Sequence, residues 1–388
     1  MLKRYLCQCG NAVFFRNSIC LACKSALGFD AVLGLLIPLT PASTHSDSHV
    51  WELLFGQSEV TSGAVGKQYR RCANLQTPAA CNWLLDAAEP ATKIYCLACS
   101  LNRTIPDLTD TAPLENGVYW GRVELAKRRM LAGLMGLGLK ITSKADDPVN
   151  GLAFDLVTTQ IGADQVFTGH DNGLITLNLQ EADDAFRESV RTAMGEPYRT
   201  LLGHFRHETG HYFWDVLIKN SLWLDKFRQL FGDESQDYAS SLNSNYAVGP
   251  PADWFLNHVS SYASSHPWED WAETWAHYLH MCDTCDTATS LGLVVNSQLL
   301  EFTPFTLDAL YDTQDENAVS FLTFINEWAG LTVLLNEMNR TMGQSDFYPF
   351  VLPDAVVTKL HFIHLVVRAA HQSLSISPEN LQPETSQR

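Results

Sequence analysis

The sequence has no uninterrupted apolar run that reaches the roughly 18 residues of a membrane-spanning helix. The best candidate, Ala31 to Ile37, is short and ends at Pro38. Two basic residues near the N-terminus are followed by Gln8 and Asn11, where a secretory signal peptide carries an apolar stretch. We therefore expect a soluble, cytoplasmic protein that has no membrane partner.

Basic residues are scarce. The 388 residues include 26 Lys and Arg against 43 Asp and Glu, for a formal net charge of −17. Residues 1–105 carry 9 basic and 6 acidic side chains, whereas the rest carry 17 and 37. A body this acidic repels a phosphate backbone, so charge argues against nucleic-acid binding by the whole chain. Only the N-terminal region, with Arg70 and Arg71, escapes that objection.

Cysteine is nearly absent after residue 99, because eight of the ten cysteines precede that point. They form two sets, Cys7, Cys9, Cys20 and Cys23, and Cys72, Cys81, Cys96 and Cys99. In a cytoplasmic protein such clusters indicate metal rather than disulfides. Each set predicts a zinc ion held by four thiolates, which replaces the core that a small module lacks. Buried free thiols are the alternative. Cys282 and Cys285 directly follow a predicted helix, and we interpret them as two unpaired thiols.

The pattern divides the chain into three parts. Residues 1–105 contain short strands and cysteine knuckles, residues 106–372 are mainly helical, and residues 373–388 form a polar, flexible tail. We therefore expect an α+β protein. Thr104 to Pro113 is typical of a linker. Periodicity predicts a strand at 173–179 and helices within 181–194, 198–231, 268–281, 321–338 and 355–371.

The most specific motif is HETGH, residues 207–211. On a helix, His207 and His211 share one face, so both imidazoles can bind one zinc ion. Glu208 can then take a proton from a zinc-bound water as general base. The alternative is a surface helix that carries two solvated histidines.

A catalytic zinc site needs a third protein ligand. The segment PWEDWAETWAHYL, residues 267–279, offers Glu269 and Glu273 one turn apart. We expect Glu269 to complete the coordination and Glu273 to accept a hydrogen bond from a ligand imidazole. Otherwise these are exposed acids that favour a helix N-terminus. His204 and Asp215 are further candidates for contacts around the ligands, although a packed role for His204 and a solvated Asp215 are the alternatives.

These residues resemble the gluzincin metallopeptidases, which include thermolysin and the anthrax lethal-factor type. Their motif combines HExxH with a downstream Glu-x-x-Ala-Glu, and Glu269 and Glu273 match its spacing. Lethal-factor-like members also carry a tyrosine seven residues before the ligand Glu, and Tyr262 stands at that position. The resemblance implies that Tyr262 stabilises the oxyanion of a peptide substrate.

The whole chain resembles a group of bacterial zinc-binding metallopeptidases with an N-terminal zinc ribbon. Five stretches carry this resemblance, namely CQCG with CLAC, residues 126–129, 169–173, 198–208 and 267–278. It implies a zinc-dependent peptidase with one catalytic and two structural zinc ions, acting on a peptide or protein substrate. The alternative function is a zinc-ribbon binding or adaptor protein, with a protein partner on the ribbons and a structural or regulatory peptidase-like domain.

Overall fold

The computed structural model describes residues 5–42, 49–54, 63–109, 112–158, 168–293 and 302–375. The strands are β1 (Tyr5–Leu6), β2 (Ala12–Val13), β3 (Ala26–Asp30), β4 (Leu35–Pro41), β5 (Val50–Leu53), β6 (Gln68–Arg71), β7 (Leu84–Asp86), β8 (Asn102–Thr104), β9 (Ala153–Val157), β10 (Gly169–Asp171) and β11 (Leu174–Asn178). The helices are α1 (Leu97–Ser100), α2 (Glu115–Gly136), α3 (Asp184–Met194), α4 (Leu201–Leu217), α5 (Leu224–Phe231), α6 (Tyr238–Val248), α7 (Pro267–Ser290), α8 (Ala318–Thr341) and α9 (Asp354–Ser375). A strand-rich N-terminal part precedes a mainly helical part, which confirms the predicted α+β class.

Two sheets form the N-terminal part. Strands β1 and β2 pair antiparallel around a tight turn in which Gly10 has a φ of +80°. Strands β3 to β7 form an antiparallel sheet in sequential order. Phe29 of β3 and Trp83, which precedes β7, are fully buried, with ring centroids 5.3 Å apart. This apolar pair gives the region a core in addition to its cysteine clusters.

A third sheet joins the N-terminal part to the helical part. Its strand order is β10-β11-β9-β8, and β8 runs parallel to β9. Strand β8 directly follows the second cysteine set, so the N-terminal region contributes one edge of this sheet. Strands β10 and β11 form a hairpin at the opposite edge, where Asn172 and Gly173 have φ values of +46° and +79°.

Helix α2 packs directly on the loop between Cys72 and Cys81. A β-carbon on Gly121 would lie 2.5 Å from the carbonyl oxygen of Pro78, so the helix requires glycine at this contact. The Arg128 guanidinium donates a hydrogen bond to the carbonyl oxygen of Ala79 at 2.9 Å. Because a continuous set of buried side chains runs from Phe29 through Trp120 into the helices, the two parts share one hydrophobic core.

The helical part is organised around the crossing of α4 and α7. A β-carbon on Gly210 would lie 2.8 Å from Cα of Ala272, so the two backbones are nearly in contact. The indole nitrogen of Trp271 donates to the carbonyl oxygen of Gly210 at 2.8 Å. Phe213 stacks on Trp275 with centroids 5.0 Å apart. Glycine in the middle of the HETGH motif therefore brings the second helix close to the two histidines.

Helices α8 and α9 complete the core. Within the described ranges α8 alone has the length and apolar composition of a membrane span, and about 33% of its most apolar window is buried. A core helix of a water-soluble protein has a similar composition. Helix α9 ends at Ser375, and the rest of the predicted tail, residues 376–388, lies outside the described residues.

Helix α7 is longer than predicted. It continues to Ser290, so Cys282 and Cys285 lie inside the helix rather than after it. The predicted end at Met281 was wrong because the segment that follows, CDTCDTATS, contains no glycine or proline that would stop the helix.

Candidate active site

The N-termini of α4 and α7 are fixed by side-chain caps. Thr200 Oγ1 accepts a hydrogen bond from the backbone N–H of Gly203 at 2.9 Å, which begins α4 before the HETGH motif. His266 Nδ1 accepts from the backbone N–H of Trp268 at 3.1 Å, and Pro267 is the first residue of α7. Both are common ways to begin a helix. They place Glu269 in the first turn of α7, opposite the motif.

Three side chains converge where the two helices meet. The Nε2 atoms of His207 and His211 are 3.2 Å apart. Glu269 Oε2 lies 3.0 Å from His207 Nε2, and Glu269 Oε1 lies 3.4 Å from His211 Nε2. Tetrahedral zinc with bonds of about 2.0–2.1 Å separates its nitrogen and oxygen ligands by about 3.3 Å. The spacing of the three groups therefore matches a zinc site.

Electrostatics also favour a cation at this point. Although burial lowers the pKa of the His207 imidazole, the carboxylates of Glu269 and Glu273 raise it well above its usual value. Glu269 is fully buried, and its Oε2 has no hydrogen-bond partner within the described part of the chain. A buried carboxylate oxygen without a partner is costly. A divalent ion would supply the missing interaction, so the residues present fit zinc.

The orientation of the His207 ring is fixed by a hydrogen bond at Nδ1, the ring nitrogen that does not face Glu269. Its Nδ1–H donates to Glu273 Oε1 at 2.7 Å, and Ser260 Oγ donates to Glu273 Oε2 at 2.7 Å. This hydrogen bond places a proton on Nδ1, so Nε2, which faces Glu269, is the ring nitrogen available to a metal ion. Glu273 thus has the contact that the sequence predicts. Ser260, 13 residues earlier in the chain, was not anticipated.

The His211 ring is held by packing instead. Its Nδ1 is buried and accepts or donates no hydrogen bond in the part of the chain that the structure describes. Trp268 packs against the His211 ring with centroids 3.8 Å apart. His170 of β10 also stacks on the His211 ring, with centroids 6.3 Å apart. The β10–β11 hairpin and the first turn of α7 therefore enclose this ligand.

Glu208 and Tyr262 line a cleft of about 510 Å³ that His207 also lines. Burial raises the pKa of the Glu208 carboxyl, while the neighbouring His207 and His211 lower it. Tyr262 lies in a 3-10 turn before α7, with its ring 6.0 Å from that of His207. Burial raises the pKa of the Tyr262 hydroxyl well above its usual value, so it stays protonated and can donate a hydrogen bond.

Within the described residues, no hydrogen bond or ion pair joins His204 or Asp215 to the three side chains. His204 lines the cleft, and its Nδ1 lies 3.6 Å from Glu181 Oε2. Asp215 instead accepts a hydrogen bond from Lys219 Nζ at 3.0 Å, one turn further along α4. The predicted contact between Asp215 and an imidazole is therefore corrected, because the carboxylate has a closer cationic partner on its own helix.

Two contacts at the site could not be predicted from a local sequence pattern. Tyr238, the first residue of α6, donates its hydroxyl to Glu269 Oε1 at 2.6 Å. On the cleft wall, Arg199 pairs with Glu181 at 2.6 Å and with Glu196 at 3.0 Å. Tyr238 and Glu269 come from different elements, as do Arg199 and Glu181, so the packing of the chain brings each pair together. Glu196 is only three residues from Arg199 in the sequence.

Both cysteine sets cluster as predicted. The Sγ atoms of Cys7 and Cys23 are 3.5 Å apart, and those of Cys9 and Cys20 are 3.8 Å apart. Cys81 and Cys96 approach to 3.5 Å, and Cys72 and Cys99 complete that group. Tetrahedral zinc with bonds of about 2.3 Å separates its sulfurs by about 3.8 Å. All ten described cysteines are free thiols, so both sets fit a metal ion.

Comparisons with known proteins agree with this geometry. A family described as "Putative zinc-binding metallo-peptidase" matches residues 116–366, and a zinc-ribbon domain matches residues 4–110. The similar proteins include Uncharacterized protein Rv2568c and Uncharacterized protein MT2644 of Mycobacterium tuberculosis and Uncharacterized protein Mb2598c of Mycobacterium bovis. Each is 43% identical over 361 residues, which cover 93% of this chain and 93% of the relative. No solved structure matches the chain. The chain therefore belongs to this zinc-binding metallopeptidase family and carries its N-terminal zinc ribbon.

Proposed function

We propose that this protein hydrolyses peptide bonds with one zinc ion bound by His207, His211 and Glu269. The observation that carries the proposal is the convergence of these three side chains, of which His207 lines a cleft of about 510 Å³. The ion would polarise the scissile carbonyl and acidify the attacking water. The cleft is large enough for several side chains of a peptide, and the family match supports the same reaction class.

Glu208 is the general base. It is next to a ligand in sequence and lines the cleft, so its carboxylate can accept a proton from the attacking water. The same carboxyl group then passes that proton to the nitrogen of the leaving amine. Burial raises the pKa of this carboxyl group, which makes the carboxylate a stronger base for the first transfer.

Tyr262 and Glu273, which both lie near His207, support the reaction in different ways. The protonated Tyr262 hydroxyl donates a hydrogen bond to the oxygen on which negative charge develops, an interaction typically worth about 3 kcal/mol. Glu273 keeps the His207 ring in the tautomer that binds metal. The two thiolate clusters hold one structural zinc ion each, so the intact protein binds three. Because those thiols must stay reduced, the proposal includes a reducing compartment such as the cytoplasm.

The test compares two variants of the full chain. Glu208→Gln preserves the shape of the side chain but removes the base, so hydrolysis of a mixed peptide substrate should fall by about 10²–10⁴-fold. Elemental analysis should still find three zinc ions. The matched variant His211→Ala should lose both hydrolysis and one zinc ion.

Other outcomes would contradict the proposal. If the purified protein binds two zinc ions and cleaves no peptide, the site is not a metal centre, and an adaptor role for the zinc ribbon becomes the better explanation. If Glu208→Gln cleaves peptides as fast as the unchanged protein, the base has been assigned to the wrong residue.

A further inference from the structure

Helix α6 is an unusual source of a contact with the metal centre. None of its residues is buried, and its first residue, Tyr238, is 38% exposed. Yet the Tyr238 hydroxyl donates to Oε1 of Glu269, a side chain with no exposed surface, at 2.6 Å. A surface helix thus reaches a fully buried ligand through one side chain.

The hydrogen bond from Tyr238 distinguishes the two carboxylate oxygens of Glu269. Oε1 of Glu269 accepts the hydrogen bond from Tyr238 and lies 3.4 Å from His211 Nε2. Oε2 has no hydrogen-bond partner in the described part of the chain and lies nearer to an imidazole, 3.0 Å from Nε2 of His207. A carboxylate held in this way offers one defined oxygen to a metal ion. Without the hydroxyl, both oxygens would be free to compete for the ion or to rotate away from it.

The Tyr238 ring is anchored in a suitable position. It packs edge-on against His266, the capping residue of α7, with centroids 5.3 Å apart, and against Trp268 at 5.6 Å. These two residues flank the start of the helix that carries Glu269. The hydroxyl is therefore placed by the same turn that places the ligand. At the other end of α6, Tyr246 lines the cleft.

We infer that Tyr238 is a positioning residue that selects the Glu269 oxygen presented to zinc and ties the cleft-lining helix α6 to the metal centre. This inference rests on the proposed function, because it takes Glu269 as a ligand. Binding free energies between two sites are reciprocal. If docking of α6 through Tyr238 strengthens zinc binding, then zinc binding strengthens docking of α6 to the same extent.

The experiment uses the full chain with both thiolate clusters filled. Zinc affinity at the third site is measured by competition with a chromophoric chelator, for the unchanged protein and for Tyr238→Phe. Loss of a hydrogen bond to a metal ligand typically weakens binding by about 10–100-fold, and we expect that loss here. The matched control is Tyr246→Phe, which removes a hydroxyl from the same helix and should leave zinc affinity unchanged.

Two further readouts separate positioning from a general structural defect. At saturating zinc, Tyr238→Phe should have a kcat close to that of the unchanged protein, because the third zinc site is then occupied despite its lower affinity. Amide hydrogen exchange in residues 238–248 should slow when the third zinc binds to the unchanged protein, and this slowing should be smaller in Tyr238→Phe.

The inference fails if Tyr238→Phe binds the third zinc as tightly as the unchanged protein does. It also fails if both tyrosine variants lose affinity equally, since the effect would then belong to α6 as a whole. Failure of the proposed function looks different, because the unchanged protein itself would bind no third zinc ion.

Discussion

Gly210 of α4 and Ala272 of α7 meet so closely that a β-carbon on Gly210 would lie 2.8 Å from Cα of Ala272. This contact lies between the two histidines of the motif and one turn beyond Glu269. The separation of the helices at this point therefore sets the distance between the imidazoles and the carboxylate. Here backbone packing, as well as the identity of the ligands, determines the metal centre.

We expect Gly210→Ala to weaken both the fold and the third zinc site. The added methyl group must push α7 away from α4, and overpacking of this kind typically costs about 1–3 kcal/mol. Thermal unfolding and chelator competition should both report the change. Gly133→Ala in α2 is the control, because its β-carbon meets nothing closer than 3.9 Å and alanine favours a helix. A Gly210→Ala protein with unchanged zinc affinity would contradict this role for the contact.

Glu273→Gln should reduce zinc affinity at the third site by about 10–100-fold, because the amide is a weaker partner than a carboxylate for the Nδ1–H of His207. The thiolate-bound zinc ions should be unaffected, since both clusters lie in the N-terminal part. Asp215→Asn is the matched control on α4. Its carboxylate pairs with Lys219 at 3.0 Å, so zinc binding should not change. An equal loss in both variants would show that the effect is one of net charge.

Acid should destabilise the protein partly through His277. This buried imidazole bonds to the Tyr348 hydroxyl at 2.6 Å, and burial lowers its pKa to about 4, against an ordinary value of 6.5. Below about pH 6.5 the unfolded chain therefore binds a proton that the folded chain does not. The stability that the neutral ring contributes is lost as the pH falls from about 6.5 towards 4.

The measurement is urea unfolding at pH 7 and pH 5. His277→Gln keeps a hydrogen-bonding side chain but cannot titrate in this range. Its loss of unfolding free energy between the two pH values should be smaller than that of the unchanged protein by on the order of 2 kcal/mol. Equal losses in the two proteins would mean that His277 is already exposed to solvent or charged in the folded state.

Much of the site could be predicted because its parts follow short-range rules. His207 and His211 are four residues apart, and this spacing places two side chains on the same face of a helix. The same holds for Glu269 and Glu273 on α7. The cysteine clusters were also visible, since thiol spacing within a knuckle is nearly a local property. In each case the sequence already specifies the geometry that the chemistry needs.

The rest depends on packing that a single sequence does not specify. Tyr238 precedes Glu269 by 31 residues, and its contact exists only because α6 returns to the start of α7. Arg199 pairs with Glu181, which lies 18 residues earlier in the sequence. Asp215 was a candidate for a contact with an imidazole, with a solvated side chain as the alternative, and its spacing did not indicate that Lys219 is its partner. Helix periodicity identifies the face on which a side chain lies, but it does not choose among the partners available there.

The parallel pairing of β8 with β9 has a practical consequence for the study of the helical part alone. A fragment that begins at α2 would lack β8 and leave the backbone of β9 as an open edge, a common route to aggregation. It would also lose the hydrogen bond from Arg128 of α2 to the carbonyl oxygen of Ala79. The N-terminal part therefore protects the edge of β9, and the helical part should be produced together with it.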